Sequence, residues 1–380
     1  MDTVRILHTA DLHLNNGFTA ANFPYMIVKE RQKDLLEAFD KIIKICCQKK
    51  VNLLFFSGDL FEYKFVDLNT IEYVNNQFSK LSNTYVFILP GNHDPFYMLD
   101  YYRNFLWSKN VFIFNNQYKK VEIEELNVVI HGIGFGYQEE KRPILKSLVC
   151  EPSKKINILL LHGSDMTIAP KKESNYLPFE QLDLINSGFD YIALGHYHQY
   201  KEIKNLYGKI IAAYPGSPEP LGFDEEGRHG IILANINKKQ NDISLLPISK
   251  RQYFKLDIDI SNCEDFQQIK KNIKKIISNK YPEKNLFSIK LIGNYSWKLG
   301  ESLELLYDQC RDLAYYIEFQ DNTEEMYDLD TLIAENTLLS SYILEIQDKL
   351  KKEKDIKKRN ILKKALKIGI DALKGGGYTT

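Results

Sequence analysis

Five short apolar runs in this 380-residue chain end in side chains that bind metal ions. Val4–His8 is followed by Asp11-Leu12-His13, Val51–Phe56 by Gly58-Asp59, and Tyr85–Leu89 by Gly91-Asn92-His93-Asp94. Ile156–Leu161 ends at His162-Gly163, and Tyr191–Leu194 at Gly195-His196-Tyr197-His198. Asp11, His13, Asp59, Asn92, His162, His196 and His198 together supply carboxylate, amide and imidazole donors without a thiolate. Two divalent ions about 3.5–4 Å apart, sharing one carboxylate, clamp a phosphate and activate water, and such a pair needs this kind of donor set. Oxygen donors mixed with imidazole suit Mn²⁺ or Fe²⁺, then Mg²⁺ or Zn²⁺, better than a soft metal. Taken singly, Asp-x-His or Gly-Asp is an ordinary turn; the ordered series carries the inference.

Residues at strand ends require strands to hold them. The first part of the chain alternates short apolar runs with amphipathic stretches, the pattern of an α/β layer structure. Further strands are expected at Val128–His131, Ile210–Ala213 and Gly230–Ile236, and helices at Glu30–Lys49, Asp67–Leu81 and Glu180–Asn186. Ligands of open α/β folds gather beyond the carboxyl ends of strands, so the five loops converge on one crevice. A linker containing Pro247 is expected to close this region near residue 250. A small α/β unit follows, with strands at Tyr253–Ile260, Leu286–Ile292 and Leu313–Phe319. A capping box at Ser261-Asn262-Cys263-Glu264 is expected to open its first helix, and a short helix is expected around Leu303–Cys310. Residues 318–335 hold seven acids and no Lys or Arg, and read as a solvated linker. Thr337–Lys374 reads as two helices, of which Lys349–Lys374 holds eleven basic residues against three acids, with Leu362, Leu366, Ile370 and Leu373 on one stripe.

Composition narrows the class. With 44% hydrophobic and 26% charged residues the chain is an ordinary globular protein, long enough for two or three domains. Fifty basic and fifty acidic residues cancel, which argues against a globally basic nucleic-acid coat and says nothing about local patches. Five cysteines without Cys-x-x-Cys spacing argue against disulfides and a thiolate metal site. With no basic-then-apolar leader and no apolar run near the roughly 18 residues of a membrane span, a cytoplasmic setting is expected. All eight histidines precede residue 230, so imidazole chemistry is confined to the first part. His8, His131 and His229 fall outside the ordered motifs and are expected to support loops, the core and a turn.

The series Asp-x-His, Gly-Asp, Gly-Asn-His-Asp, His-Gly, Gly-His-x-His resembles the signature of the calcineurin-like metallophosphoesterases. Within these, residues 4–235 resemble the SbcD and YhaO type of DNA repair exonucleases, relatives of the eukaryotic and archaeal double-strand-break nuclease. His8–Leu14, Gly58–Glu62, Pro90–Pro95 and Tyr214–Pro218 carry the likeness, and Phe61-Glu62 with Pro95-Phe96 looks closer to YhaO than to SbcD. The resemblance implies a metallophosphoesterase sandwich of two sheets flanked by helices (residues 1–249). An α/β capping domain (250–320) and a helical tail (321–380) would follow. It implies one metal held by Asp11, His13, His198 and a bridging Asp59, and a second by Asp59, Asn92, His162 and His196. His93 would contact the phosphate and serve the leaving group, with Asp94 behind it to orient the ring. Glu62 departs from archaeal and eukaryotic relatives, which often carry a histidine there.

The leading expectation is a Mn²⁺-dependent DNA nuclease (exonuclease, with endonuclease activity open) acting as a homodimer. Its partner would be a coiled-coil ATPase of the SbcC or YhaN type, bound through the C-terminal helices. The alternatives are a phosphatase or phosphodiesterase on small molecules or phosphoproteins, and a DNA-end-binding scaffold without catalysis.

Overall fold

The structure, a computed structural model, describes residues 3–19, 23–168, 175–261, 263, 265–296 and 303–373. In chain order the elements begin with β1 (Val4–Thr9), α1 (Tyr25–Lys49), β2 (Leu53–Ser57), α2 (Leu68–Ser79), β3 (Tyr85–Leu89), α3 (Tyr101–Asn104) and β4 (Val111–Ile113). There follow β5 (Lys119–Ile123), β6 (Val128–Ile133), β7 (Ile156–His162), α4 (Gln181–Asn186), β8 (Tyr191–Gly195), β9 (Lys201–Lys204), β10 (Ile210–Tyr214), β11 (Gly230–Ile236) and β12 (Asn241–Pro247). The last are β13 (Tyr253–Asp259), α5 (Phe266–Ile277), β14 (Leu286–Ser296), α6 (Leu303–Cys310), β15 (Tyr316–Met326), α7 (Leu329–Ala334), α8 (Leu338–Lys352) and α9 (Ile356–Leu373). Among the described residues no helix is long and apolar enough to cross a membrane.

Contacts divide the chain into two compact units, the first comprising Met1–Lys255, Lys280–Ser288 and Ala314–Tyr316, the second the remainder. The first unit holds two six-stranded sheets, ordered β12-β11-β1-β2-β3-β4 and β5-β6-β7-β8-β10-β9. β1 to β4 run parallel, as do β6, β7, β8 and β10. Strands covered on both faces carry unbroken apolar runs, as Leu53-Leu54-Phe55-Phe56 does in β2. One face of each sheet meets the other across a core that includes Phe55, Phe87, Ile130, Ile158 and Tyr191. Phe55 lies edge-on to Phe87 there, and its truncation to alanine would cost about 3–5 kcal/mol. The outer face of the first sheet is covered by α1 and α2 through Leu35, Phe39, Ile42, Ile71 and Phe78. That of the second is covered by α4 through Leu184. The unit is therefore the sandwich of two sheets flanked by helices that the resemblance implied. The parallel order points the carboxyl ends of β1, β2 and β3 one way, and those of β7 and β8 likewise within their sheet.

Several local expectations are corrected. The stretch holding Pro247 is a strand, β12, paired antiparallel to β11 from Asn241–Ile236 to Pro247–Gly230. Its outer side is a sheet edge, where proline costs no ladder bond. The acidic run at 318–335 carries most of β15 and all of α7 rather than a linker. Asn262 and Glu264 of the expected capping box lie outside the described residues. Helix α5 is instead capped by Asp265, whose carboxylate accepts from Gln268 N at 2.8 Å. In the second unit Leu366 and Ile370 of α9 pack with Leu332, Leu339 and Ile343 of α7 and α8, so part of the basic tail's apolar stripe is satisfied within the chain.

Candidate metal centre

The loops after β1 and β2 are stitched together by main-chain bonds: Asp11 N to Gly58 O (3.1 Å), His13 N to Asp59 O (2.9 Å) and Leu14 N to Leu60 O (2.9 Å). Asp11, His13 and Asp59 adopt φ of 53°, 48° and 54°, and His196 a φ of 106°. Such left-handed backbone is costly for residues with a Cβ and collects at functional sites. Gly58 and Gly91 allow the approach. A Cβ at Gly58 would fall 2.0 Å from the His162 ring, and one at Gly91 2.2 Å from Asp59 Oδ1.

Among the described residues three donor clusters result, each with ligand atoms within 4.8 Å of one another: Asp11/His13/His198, Asp11/Asp59/His162 and His13/Glu62/His93. His162 donates from Nδ1 to the Ser57 carbonyl at 2.9 Å, which aims Nε2 at Asn92 Oδ1 (2.9 Å) and Asp59 Oδ2 (3.3 Å). His196 donates its backbone N–H to both Asp11 oxygens at 3.1 Å, and its ring lies 5.2 Å from that of His162. His198 donates from Nδ1 to Glu225 Oε1 at 2.7 Å, leaving Nε2 4.0 Å from Asp11 Oδ1. Asp59 is the shared element, facing His13 Nε2 at 3.7 Å on one side and His162 on the other. The fold thus brings the seven expected ligand residues into one cluster.

Two features fit this cluster to cations. Both ring nitrogens of His13 are buried without a hydrogen-bond partner, although an imidazole left so in the interior is expensive. The lone pairs of Asn92, Asp59 and His162 converge on one point, which a positive charge must relieve. The electrostatics agree. Burial opposes ionisation of Asp59, but His162, His13 and His93 outweigh it and hold its carboxyl well below the usual range. Burial also disfavours a charged His162 and a charged His198, yet the surrounding carboxylates raise them to about 9 and about 10. His196 is pushed by burial and by His162 down to about 3 and stays neutral, the form in which imidazole is a ligand. Divalent ions would take the place of the protons that these carboxylates draw onto His162 and His198.

His93 is 46% exposed at the side chain, more than His198 at 26% or the buried His13, Asp59 and His162, and so faces outward. Its expected partner is corrected. Asp94 accepts from Gly91 N (2.7 Å), Asp59 N (3.2 Å), Leu60 N (2.8 Å), Phe61 N (3.2 Å) and Tyr102 Oη (2.6 Å). Its carboxylate lies under the β2 and β3 loops, where converging N–H groups need an acceptor, and it pins the loops rather than the imidazole. The His93 ring is held by Glu62, which accepts from Nδ1 at 2.9 Å. Burial opposes the Glu62 charge, but His13 and His93 bring its carboxyl down to about 2. Burial likewise opposes a charged His93, and Glu62 and Asp59 raise it above the ordinary histidine value.

Two supporting acids lie outside the expected set of site residues. Glu62 is three residues past Asp59, on a rigid turn whose direction only the fold reveals. Glu225 sits in Gly222–Gly227, a stretch without pattern, and is fixed by Ser217 Oγ (2.7 Å) and Leu221 N (3.2 Å). His229, expected in a turn, is buried and donates to the Glu225 carbonyl, supporting the same loop. His8 and His131 are buried and hydrogen-bonded, His8 to Tyr191 and Leu194, His131 to Tyr118 and Asn157.

A parallel-stranded sandwich with this cluster at its strand ends defines a metal-dependent phosphoesterase, and residues 4–200 match the calcineurin-like phosphoesterase family. The chain belongs to that family, whose fold implies a dinuclear divalent-metal site. It is similar to the uncharacterized metallophosphoesterase YhaO of Bacillus subtilis, 26% identical over 63% of this chain and 58% of that protein. It is also similar to the DNA double-strand break repair protein Mre11 of Saccharolobus solfataricus, 26% identical over 92% of this chain and 91% of that one. The Mre11 of Methanocaldococcus jannaschii is 28% identical over 70% of this chain and 69% of its own length.

Proposed function

We propose that the chain is a Mn²⁺-dependent nuclease that hydrolyses phosphodiester bonds in DNA during end processing, as an exonuclease and in some contexts an endonuclease. The observation that carries this reading is the length of the likeness to the Saccharolobus DNA repair protein, which runs over 92% of the chain and well past the catalytic module. An enzyme for small esters needs no such extension. Asp11, His13, His198 and Asp59 would hold one ion, and Asp59, Asn92, His162 and His196 the other. The oxygen-rich donor set favours Mn²⁺ over softer metals. Such a pair supplies charge neutralisation on the phosphodiester and acidification of water.

The remaining steps belong to the chain's own residues. With Nδ1 tied to Glu62, His93 presents Nε2 outward, and the raised affinity of the ring for its proton keeps an N–H at that atom. From there it would donate to a phosphate oxygen and then to the departing alkoxide, a role that contributes roughly 10²–10⁴-fold. Asp94 holds the loops that carry Asp59 and His93 in fixed relation.

In this reading residues 1–249 are the catalytic module, 250–320 a cap, and 321–380 the attachment for a coiled-coil ATPase of the SbcC or YhaN type. Leu338, Leu344, Ile361, Ile368 and Leu373 of α8 and α9 are exposed, and this apolar surface supports a helical partner there. A homodimer and a cytoplasmic setting complete the reading.

Cleavage of an end-labelled duplex in Mn²⁺, Mg²⁺ or EDTA, beside a small chromogenic phosphodiester, tests it. Shortening of the DNA in Mn²⁺ alone, lost in His93→Ala, is expected. Turnover of the small ester with DNA left intact, even when the ATPase is added, would overturn it.

A further inference from the structure

Two tyrosines beside the cluster take no part in it. Tyr97 follows the Asn92–Asp94 loop at the end of β3, and Tyr137 follows Phe135 beyond the end of β6. Phe135 is buried with its ring edge-on to His162 at 5.7 Å, so Tyr97 continues from a site loop and Tyr137 from a residue packed on a site histidine. Main-chain bonds lock the segments together: Phe135 N to Pro90 O (3.0 Å), Phe96 N to Phe135 O (2.9 Å) and Tyr97 N to Gly136 O (3.1 Å). The two rings consequently stand side by side, centroids 5.4 Å apart at 37°, while Tyr97 is 39% and Tyr137 64% exposed.

Packing does not account for them. Three buried tyrosines around the site use their hydroxyls internally, Tyr102 on Asp94, Tyr214 on the Gly163 carbonyl and Tyr191 on His8. Neither the Tyr97 nor the Tyr137 hydroxyl has a hydrogen-bond partner among the described residues. Nor does charge repel a polyanion there. Glu139 and Glu140 are paired with Lys141 and Arg142, and Asp100 is paired with Arg103, whose guanidinium lies 5.9 Å from the Tyr97 ring centre. Exposed aromatic faces on a rigid support are what unpaired bases stack on, whatever their sequence.

We propose that Tyr97 and Tyr137 form a stacking platform for an unpaired nucleobase next to the phosphate being cleaved. The proposal rests on the nuclease reading above and sharpens its substrate. A base inside a duplex has both faces covered by its neighbours, so the platform selects single strands, frayed ends and flaps over intact double helix.

The test is binding of a short single-stranded oligonucleotide carrying 2-aminopurine, measured in EDTA by anisotropy and by the quenching that stacking causes. Tyr97→Ala/Tyr137→Ala should weaken binding about tenfold or more and abolish the quench, and Tyr97→Phe/Tyr137→Phe should retain both. Turnover of a small diester lacking a nucleobase should be unchanged in both double variants, which also reports that they fold. Unchanged affinity and quench in the alanine variant, with a wild type that binds and cleaves the strand, would remove the platform and leave the nuclease standing. A wild type that turns over the small diester but neither binds nor cleaves the strand would overturn the nuclease reading and the platform with it.

Discussion

The two sheets contribute to one cluster in different ways. Loops of the first sheet bring the carboxylates, the amide and one imidazole, and they are built as one mesh: β1 and β2 loops bonded main chain to main chain, with Asp94 collecting N–H groups from both the β2 and β3 loops. Loops of the second sheet bring three imidazoles, and those of His162 and His198 are aimed by acceptors of their own, the Ser57 carbonyl and Glu225. Carboxylates repel one another at close range, so the acidic half must be held from below by many bonds. A neutral imidazole needs only one partner to fix which nitrogen faces the metal. Damage to the first half should therefore spread through fold and activity together, and damage to the second should stay with single ligands.

Asp94→Ala should show the largest effect. Five donors lose their acceptor at roughly 1 kcal/mol each, so urea unfolding should report a loss of about 3–5 kcal/mol along with most activity. A stability loss no larger than that of a surface substitution would dissolve the mesh. His93→Ala belongs to the same half but lies outside the cage. Cleavage should fall about 10²–10⁴-fold with metal content and unfolding midpoint unchanged; loss of an ion would move His93 into the ligand set. On the other sheet, Glu225→Gln should weaken metal affinity by about 10–100-fold, seen in a metal titration, with a smaller loss of stability than Asp94→Ala causes. Destabilisation on the scale of Asp94→Ala would erase the contrast between the halves.

The smallest effect is expected for Glu62→Gln, about tenfold in rate, with a shift in pH profile as its signature. Glu62 helps to raise the His93 value, so the folded site keeps the imidazolium to higher pH than a free histidine would. Without that charge the high-pH fall in activity, where His93 loses its proton, should move to lower pH. A profile unmoved by the substitution would leave Glu62 a packing residue.

Much of this was legible in the sequence, and the limits have physical causes. Central strands announce themselves because both faces are buried, as in Leu53–Phe56, and the ligand loops follow them directly. The four strands of the two large sheets that the apolar pattern did not reveal, β4, β5, β9 and β12, are the four sheet edges. β5 and β9 carry charged residues, as in Lys119-Lys120-Val121-Glu122-Ile123, so no long apolar run marks them, while the apolar β4, Val111-Phe112-Ile113, is only three residues long. The cluster was readable for a similar reason, since its ligands recur at a fixed place relative to buried strands. Residues that orient those ligands come from anywhere the chain returns, which is why Glu225 gave no signal and why Asp94 was assigned the place that Glu62 fills. The apolar stripe of α9 lies on a helix, as its spacing implies, but part of its partner surface belongs to α7 and α8 of the same chain.

The most direct test of the account is the metal content of the wild-type chain and of Asp59→Ala after loading with Mn²⁺ and removal of excess. A shared bridge predicts a pair of ions per wild-type chain and loss of both in the variant. One ion fully retained in Asp59→Ala, or a wild type that takes up a single ion, would contradict it.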